Sequence, residues 1–150
     1  MLVGQICSRE VSFCEAGTTA ERAASQMREA HVGDLVVVGV NGVGVRTPVG
    51  VITDRDLVVE VMAQQVDPAV VSVGELIVAD CLCINENATV FQAIEMMQKG
   101  GVRRLPVTDG PGGLVGIVSA DDLSAQLAKE MLRLSQVSFR QRAHEIAARA

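Results

Sequence analysis

Two stretches of this sequence place a hydroxyl side chain three residues ahead of a carboxylate, in the same setting each time. The first is Gly50-Val51-Ile52-Thr53-Asp54-Arg55-Asp56-Leu57 and the second is Gly116-Ile117-Val118-Ser119-Ala120-Asp121-Asp122-Leu123. The β-branched pair suits the end of a buried strand. Thr53 or Ser119 then stands where a helix N-cap belongs. Backbone N–H groups at a helix start can hold a phosphate, and Asp56 or Asp122 can accept hydrogen bonds from a ribose diol. An ordinary capping box would use the same residues for the helix alone. One copy favours that plainer use, whereas two copies in one register shift the weight towards a ligand.

The other reactive side chains form no comparable pattern. Cysteines stand at Cys7, Cys14, Cys81 and Cys83, and the two histidines, His31 and His144, are remote in sequence. Zinc sites usually bring paired ligands at short spacing, as in Cys-x-x-Cys, and none is present. Cys81-x-Cys83 falls in an apolar run with Leu82 and Ile84, which reads as a strand with both thiols on one face. Buried, inert thiols are the first expectation, with a redox pair and a metal ligand as alternatives. A reduced, cytosolic chain fits the first of these.

The elements that position the two motifs repeat. With the first half shifted by seventy positions, Val3-Gly4 falls on Val73-Gly74, Thr19 on Thr89, Met27 on Met97 and Leu35 on Leu105. The shift then drops to sixty-six, aligning Val49-Gly50 with Val115-Gly116 and Asp56-Leu57 with Asp122-Leu123. The change falls in glycine-rich turns, where length differences belong. Each unit reads as a short helical lead (Val3 to Cys7, Val73 to Val78), then a short strand near Val11–Phe13 or Cys81–Ile84. A helix follows from Thr18 or Thr19 to Ala30, or from Thr89, with apolar residues on one face. A hairpin comes next, Leu35–Val40 into Val49–Thr53, and Leu105–Thr108 into Leu114–Ser119. Closing helices start near Asp54 and Ala120. Asp67-Pro68 marks the link between units. Residues 1–68 and 69–132 are thus two copies. Residues 133–150 form a helical tail whose broken apolar stripe suits a partner subunit, and the Met residues read as core filler.

Composition excludes several classes. The chain has 150 residues with 49% hydrophobic and only 2% aromatic side chains, so the core is aliphatic. It has no aromatic platform for single-stranded nucleic acid. The net charge of −5 and the absence of a basic run argue against nucleic acid and anionic membrane as partners. No apolar stretch approaches the ~18 residues of a membrane span. Met1 to Gln5 lacks the basic n-region of a signal peptide, so the expected location is cytoplasmic.

Taken together, residues 3 to about 130 resemble a tandem pair of cystathionine-β-synthase (CBS) domains, a Bateman module. Gly50-x-x-Thr53-x-x-Asp56 and Gly116-x-x-Ser119-x-x-Asp122 match that family's nucleotide motif, and Arg103-Arg104-Leu105-Pro106-Val107 resembles its second strand. The resemblance implies an α+β fold, two β-α-β-β-α repeats about a pseudo-twofold axis with two clefts, followed here by a C-terminal helix. It also implies adenosyl ligands: AMP, ADP or ATP, S-adenosylmethionine, or a dinucleotide such as NAD. By position, Asp56 and Asp122 would hold ribose hydroxyls, and Thr53 and Ser119 would sit by phosphate. Adenine would lie near Leu35-Val36 or Leu105-Pro106. The first copy departs from the strand pattern, with Gly33-Asp34-Leu35-Val36 in place of Arg103-Arg104-Leu105-Pro106.

The leading expectation is a stand-alone regulatory protein that binds an adenosyl nucleotide, requires no cofactor or metal, associates as a homodimer and signals to a separate effector protein. The alternative is a structural dimerisation module without ligand. An enzyme is not expected, because no nucleophile–base pair or metal set is visible. Charge exchange between the copies adds a finer expectation. Asp34 corresponds to Arg104 and Arg55 to Asp121, which suits a strand-to-helix ion pair within each copy, the alternative being that Arg55 turns to a ligand phosphate. Arg103, replacing Gly33, adds a positive charge near Ser119 and Asp122. ATP or ADP should then prefer that site, and AMP or a neutral adenosyl group the site of Thr53 and Asp56.

Overall fold

The computed structural model describes residues 1–149. Strand β1 (Phe13–Glu15), helix α1 (Ala20–Ala30), strands β2 (Asp34–Val40) and β3 (Arg46–Thr53), and helix α2 (Asp54–Asp56) make the first unit, with α2 continuing as a π-helical stretch over Leu57–Met62. The second unit repeats it as α3 (Val73–Leu76), β4 (Ile84–Asn85), α4 (Val90–Gly100), β5 (Arg104–Thr108), β6 (Leu114–Ser119) and α5 (Ala120–Arg149). The counterpart of α3 at the N-terminus is a single 3₁₀ turn, Val3–Gln5. Each unit holds a three-stranded sheet, β1-β2-β3 or β4-β5-β6, whose first pair is parallel and whose second is an antiparallel hairpin.

Local chemistry explains the element boundaries. Thr19 and Thr89 cap α1 and α4 by accepting from the N–H of Arg22 and Gln92. Ala20, Ala23 and Met27, like Val90, Ala93 and Met97, turn one helical face inward. The helices end at equivalent positions in the left-handed conformation, His31 (φ 54°) and Gly101 (φ 63°). Each hairpin turn is set by a short polar side chain. Asn41 Oδ1 accepts from the Val43 and Val45 N–H groups, and Asp109 Oδ1 from the Gly113 N–H.

The units exchange their leads. Val3 is fully buried in the core of the second unit, against Ile84, Val90, Leu105 and Val118, and Val73 is fully buried in the core of the first, against Cys14, Leu35, Val37 and Ile52. Gly50 is where Ile77 crosses β3, since a Cβ there would lie 2.5 Å from the Ile77 Cδ1. At Gly116 a Cβ would lie 2.8 Å from the Cys7 Sγ. The glycine that opens each motif is therefore required by the lead of the other unit.

The expected strand at Cys81–Ile84 is corrected. Only Ile84 and Asn85 pair with β5; Leu82 instead packs onto Gly100 at the end of α4, which draws Cys81 to Cys83 away from the sheet edge. The strand expected at Val11–Phe13 begins at Phe13. The tail is one helix, continuous with the closing helix of the second unit. Of α5 only Leu123 is buried, while Met131, Leu134, Val137, Phe139 and Ile146 are exposed.

Candidate functional site

Thr53 ends β3 and Asp56 lies in the first turn of α2, so their separation is fixed by a strand-to-helix junction. The Thr53 N–H and hydroxyl both donate to Asp56 Oδ2 at 2.8 Å, and the Asp56 N–H donates back to the Thr53 hydroxyl at 3.2 Å. Ser119 and Asp122 reproduce the set, with 2.8 and 2.6 Å to Asp122 Oδ2 and 3.1 Å back to Ser119 Oγ. Both motifs are capping boxes, and each occupies one carboxylate oxygen.

The surroundings of the two boxes differ. Thr53, Arg55 and Asp56 line a cleft of about 550 Å³ together with Arg103 and Arg104 of the other unit. Its apolar wall comes from the Leu76–Leu82 segment and Val102. Arg103 and Arg104, expected by Ser119 and Asp122, thus reach the first unit's motif as well: Arg104 is the strand partner of Ser119 and Arg103 bonds Asp121, yet both line the cleft of Thr53 and Asp56.

The within-copy ion pairs are corrected too. Arg104 Nε donates to Asp34 Oδ1 at 2.8 Å, between units, and Arg103 pairs with Asp121 at 3.2 Å. Arg55 has no carboxylate partner among the described residues. Burial pushes the Asp34 carboxyl above its usual range, the Arg104 charge pulls it back, and Asp54 adds to the rise. Leu35, Val36, Leu105 and Pro106, the expected adenine slot, are all but fully buried and line none of this cleft. Their strands are covered on both faces, so these side chains serve packing.

One pair of residues missed in the sequence decides why the clefts differ. Arg9 donates to Glu86 Oε2 at 3.0 Å, to the Gly4 carbonyl at 3.0 Å and to the Val115 carbonyl at 3.4 Å. This clamp holds Ser8 against β6, where Ser8 and Ile117 exchange two backbone hydrogen bonds of 2.9 Å. By the seventy-residue shift, Arg9 and Glu86 correspond to Ala79 and Ala16, which cannot form a clamp. Val78, the counterpart of Ser8, is 97% exposed, and from there to Leu82 the segment lines one wall of the open cleft. The signal was the Arg9/Ala79 mismatch within the repeat.

The thiols occupy three settings. Cys14 is buried, which pushes its thiol up to about 11; Cys7 is half-buried against Gly116 and is raised for the same reason. Cys81 and Cys83 are half-buried rather than sealed. Among the described residues no group of three or more His, Cys, Asp and Glu could hold a metal ion. No helix among them is long and apolar enough to cross a membrane.

Comparison with known proteins agrees with this architecture. The CBS domain family profile matches residues 3–63 and 73–129. An uncharacterized protein of Methanopyrus kandleri is 34% identical over 121 residues, covering 81% of this chain and 60% of that protein. Hypoxic response protein 1 of Mycobacterium tuberculosis is 32% identical over 114 residues, 76% of each chain. A crystal structure of Hypoxic Response Protein I, described as having two coordinated zinc ions, superposes with a TM-score of 0.72 at 30% identity over 83% of this chain and 98% of that one. A solved CBS domain pair in complex with 5′-methylthioadenosine and S-adenosyl-L-methionine has a TM-score of 0.72 at 23% identity, covering 87% and 98% of the two chains, a likeness of fold. With the repeat, the paired sheets and the family match in agreement, the chain belongs to the CBS domain family and carries two such domains in tandem.

Proposed function

We propose that this chain is a regulatory module that binds an adenosyl nucleotide in the cleft of Thr53 and Asp56 and transmits occupancy through the packing of its two halves. The observation that carries the reading is the convergence, in one cavity of about 550 Å³, of the Thr53–Asp56 box with Arg55, Arg103 and Arg104. That volume lies within the usual range for small-molecule sites. Asp56 Oδ2 is occupied by Thr53, which leaves Oδ1 to accept from a ribose hydroxyl. Among the described residues Arg55 has no carboxylate partner, and the exposed Arg103–Asp121 bridge is worth only about 0–1 kcal/mol, so both guanidinium groups are available to phosphate. Leu76, Ile77 and Leu82 offer the apolar wall for adenine. Adenosyl ligands held by a CBS pair of the same fold support the ligand class.

Because the cleft has walls from both units, a ligand that prefers one relative placement of the halves shifts the population towards it. A second copy of the chain and a separate effector are the proposed readers of that shift. The apolar groove between α1 and the Leu57–Met62 stretch, about 580 Å³ and lined by Ala20, Ala24, Leu57 and Val61, supports self-association. Thermal-shift measurements with AMP, ADP, ATP, S-adenosylmethionine and NAD test the reading. At least one should raise Tm in the parent chain and lose its effect in Asp56→Ala. No shift with any of them would end it.

A further inference from the structure

Cys81 stands on the wall of the open cleft, with Cys83 against it. Their Sγ atoms are 3.5 Å apart, and the Cys83 thiol also lies 3.7 Å from the Cys81 carbonyl. Cys81 itself lines the cavity that holds Thr53, Asp56 and Arg103. Both side chains are half-buried, unlike the sealed Cys14. Leu82 between them packs on Gly100, so the tripeptide is anchored at its middle while its two sulfurs meet. Residues Ile77 to Cys83 belong to no helix or strand, which leaves their backbone free to adjust.

We infer that Cys81 and Cys83 form a reversible dithiol–disulfide pair, oxidised by a hydroperoxide or by a low-molecular-weight disulfide, whose state sets the shape of the ligand cleft. The consequence for the cleft rests on the proposed function; the sulfur chemistry does not. Contact with the Cys81 thiol holds the Cys83 thiol below its usual value, while the same contact and burial push Cys81 up. Attack through either sulfur ends in the same disulfide, and the Cys83 route has these steps. With a hydroperoxide, the Cys83 thiolate takes the terminal oxygen to become a sulfenic acid, and the O–O bond breaks to release an alcohol or water. Cys81 then attacks that sulfur, its proton joins the departing hydroxide, and water leaves as the S–S bond forms. With a small disulfide, Cys83 displaces one thiol and Cys81 displaces the second from the mixed disulfide. Either route removes two electrons and two protons from the pair. A reducing dithiol reverses it.

Trypsin places both sulfurs on one peptide, Asp56 to Lys99, and Cys7 and Cys14 on two others. The full-length reduced chain is treated with hydrogen peroxide or with oxidised glutathione, alkylated, digested and weighed. The expected result is a peptide Asp56 to Lys99 that resists alkylation and is lighter by two hydrogens, restored by dithiothreitol and absent in Cys81→Ser and Cys83→Ser. Full alkylation after oxidant, a bond to Cys7, Cys14 or a second chain, or an irreversible sulfinic product overturns the pair. In the second arm AMP is titrated into both states, and the oxidised chain should bind about tenfold more weakly, a coupling within the usual range between linked sites. Equal affinity in the two states overturns the control of the cleft. If neither state binds any adenosyl ligand, the nucleotide reading and that control fall together, and the peptide mass alone decides the pair.

Discussion

Asp34 and Arg104 occupy equivalent positions in the two repeats, and they meet: Arg104 Nε donates to Asp34 Oδ1 at 2.8 Å. Equivalent residues can touch only near the pseudo-twofold axis. Identical charges there would repel at close range, so the two copies had to diverge at this position. The opposite signs, read from the sequence as two separate ion pairs, are one pair between the halves. Its Asp34 side chain is only 14% exposed and that of Arg104 36%.

Arg104→Ala should destabilise the chain by about 1–3 kcal/mol, because it leaves a largely buried carboxylate without its partner. The charge-exchanged double variant, Asp34→Arg with Arg104→Asp, should recover most of that loss in urea melts, since the two positions are related by the axis. A double variant no more stable than Arg104→Ala would refute the account.

Acid should move two carboxylates in opposite directions. Burial raises Asp34 above its usual 3.8, so its ionised form opposes folding at neutral pH, and this penalty is relieved as pH falls, completely so below 3.8. Glu75 is lowered from 4.5 by hydrogen bonds from the Ser72 N–H and hydroxyl. Its contribution is present above 4.5 and lost as pH falls through the lowered value. Urea midpoints should therefore shift in favour of the parent chain relative to Asp34→Asn on acidification, and against it relative to Glu75→Gln. Shifts of the same sign in both comparisons would contradict the assigned causes.

Cutting the Arg9 clamp should loosen the segment that pairs with β6. Arg9→Ala removes the bonds to Glu86, Gly4 and Val115 that hold Ser8 on β6. Amide exchange at Ser8 and Ile117 should quicken, and calorimetric stoichiometry for AMP should rise from one site towards two per chain. Unchanged exchange at these amides would show that the backbone pair, not Arg9, holds Ser8 on β6.

The two motif carboxylates should part company under mutation. Asp56→Ala and Asp122→Ala each break a capping box and should cost about 0.5–2 kcal/mol of stability. Only Asp56→Ala should also weaken AMP, by about ten- to a hundredfold, as expected for lost hydrogen bonds to a charged group. Arg55→Ala should weaken ATP more than AMP, since no carboxylate among the described residues holds Arg55. Equal loss of AMP affinity in the two Asp variants would mean that both clefts are in use.

Hydrophobic spacing and cap chemistry were sufficient for the local elements. Thr19, Thr89, Thr53 and Ser119 each start a helix where a hydroxyl meets an apolar period, and the closing helices begin at Asp54 and Ala120, because caps and turns depend on neighbours in sequence. The seventy-residue repeat disclosed the tandem pair for the same reason. Tertiary packing decided what crosses between the copies. Val3 and Val73 exchange cores, Arg103 and Arg104 reach the cleft of Thr53, and Leu35 and Pro106 are sealed inside their sheets. Sequence pattern specifies which face of a strand is apolar; which unit covers that face depends on how two similar surfaces pack about an axis. The Arg9–Glu86 clamp spans 77 positions. Its effect, Ser8 paired with β6 while its counterpart Val78 is exposed, became visible only when both leads lay beside the strands they cross.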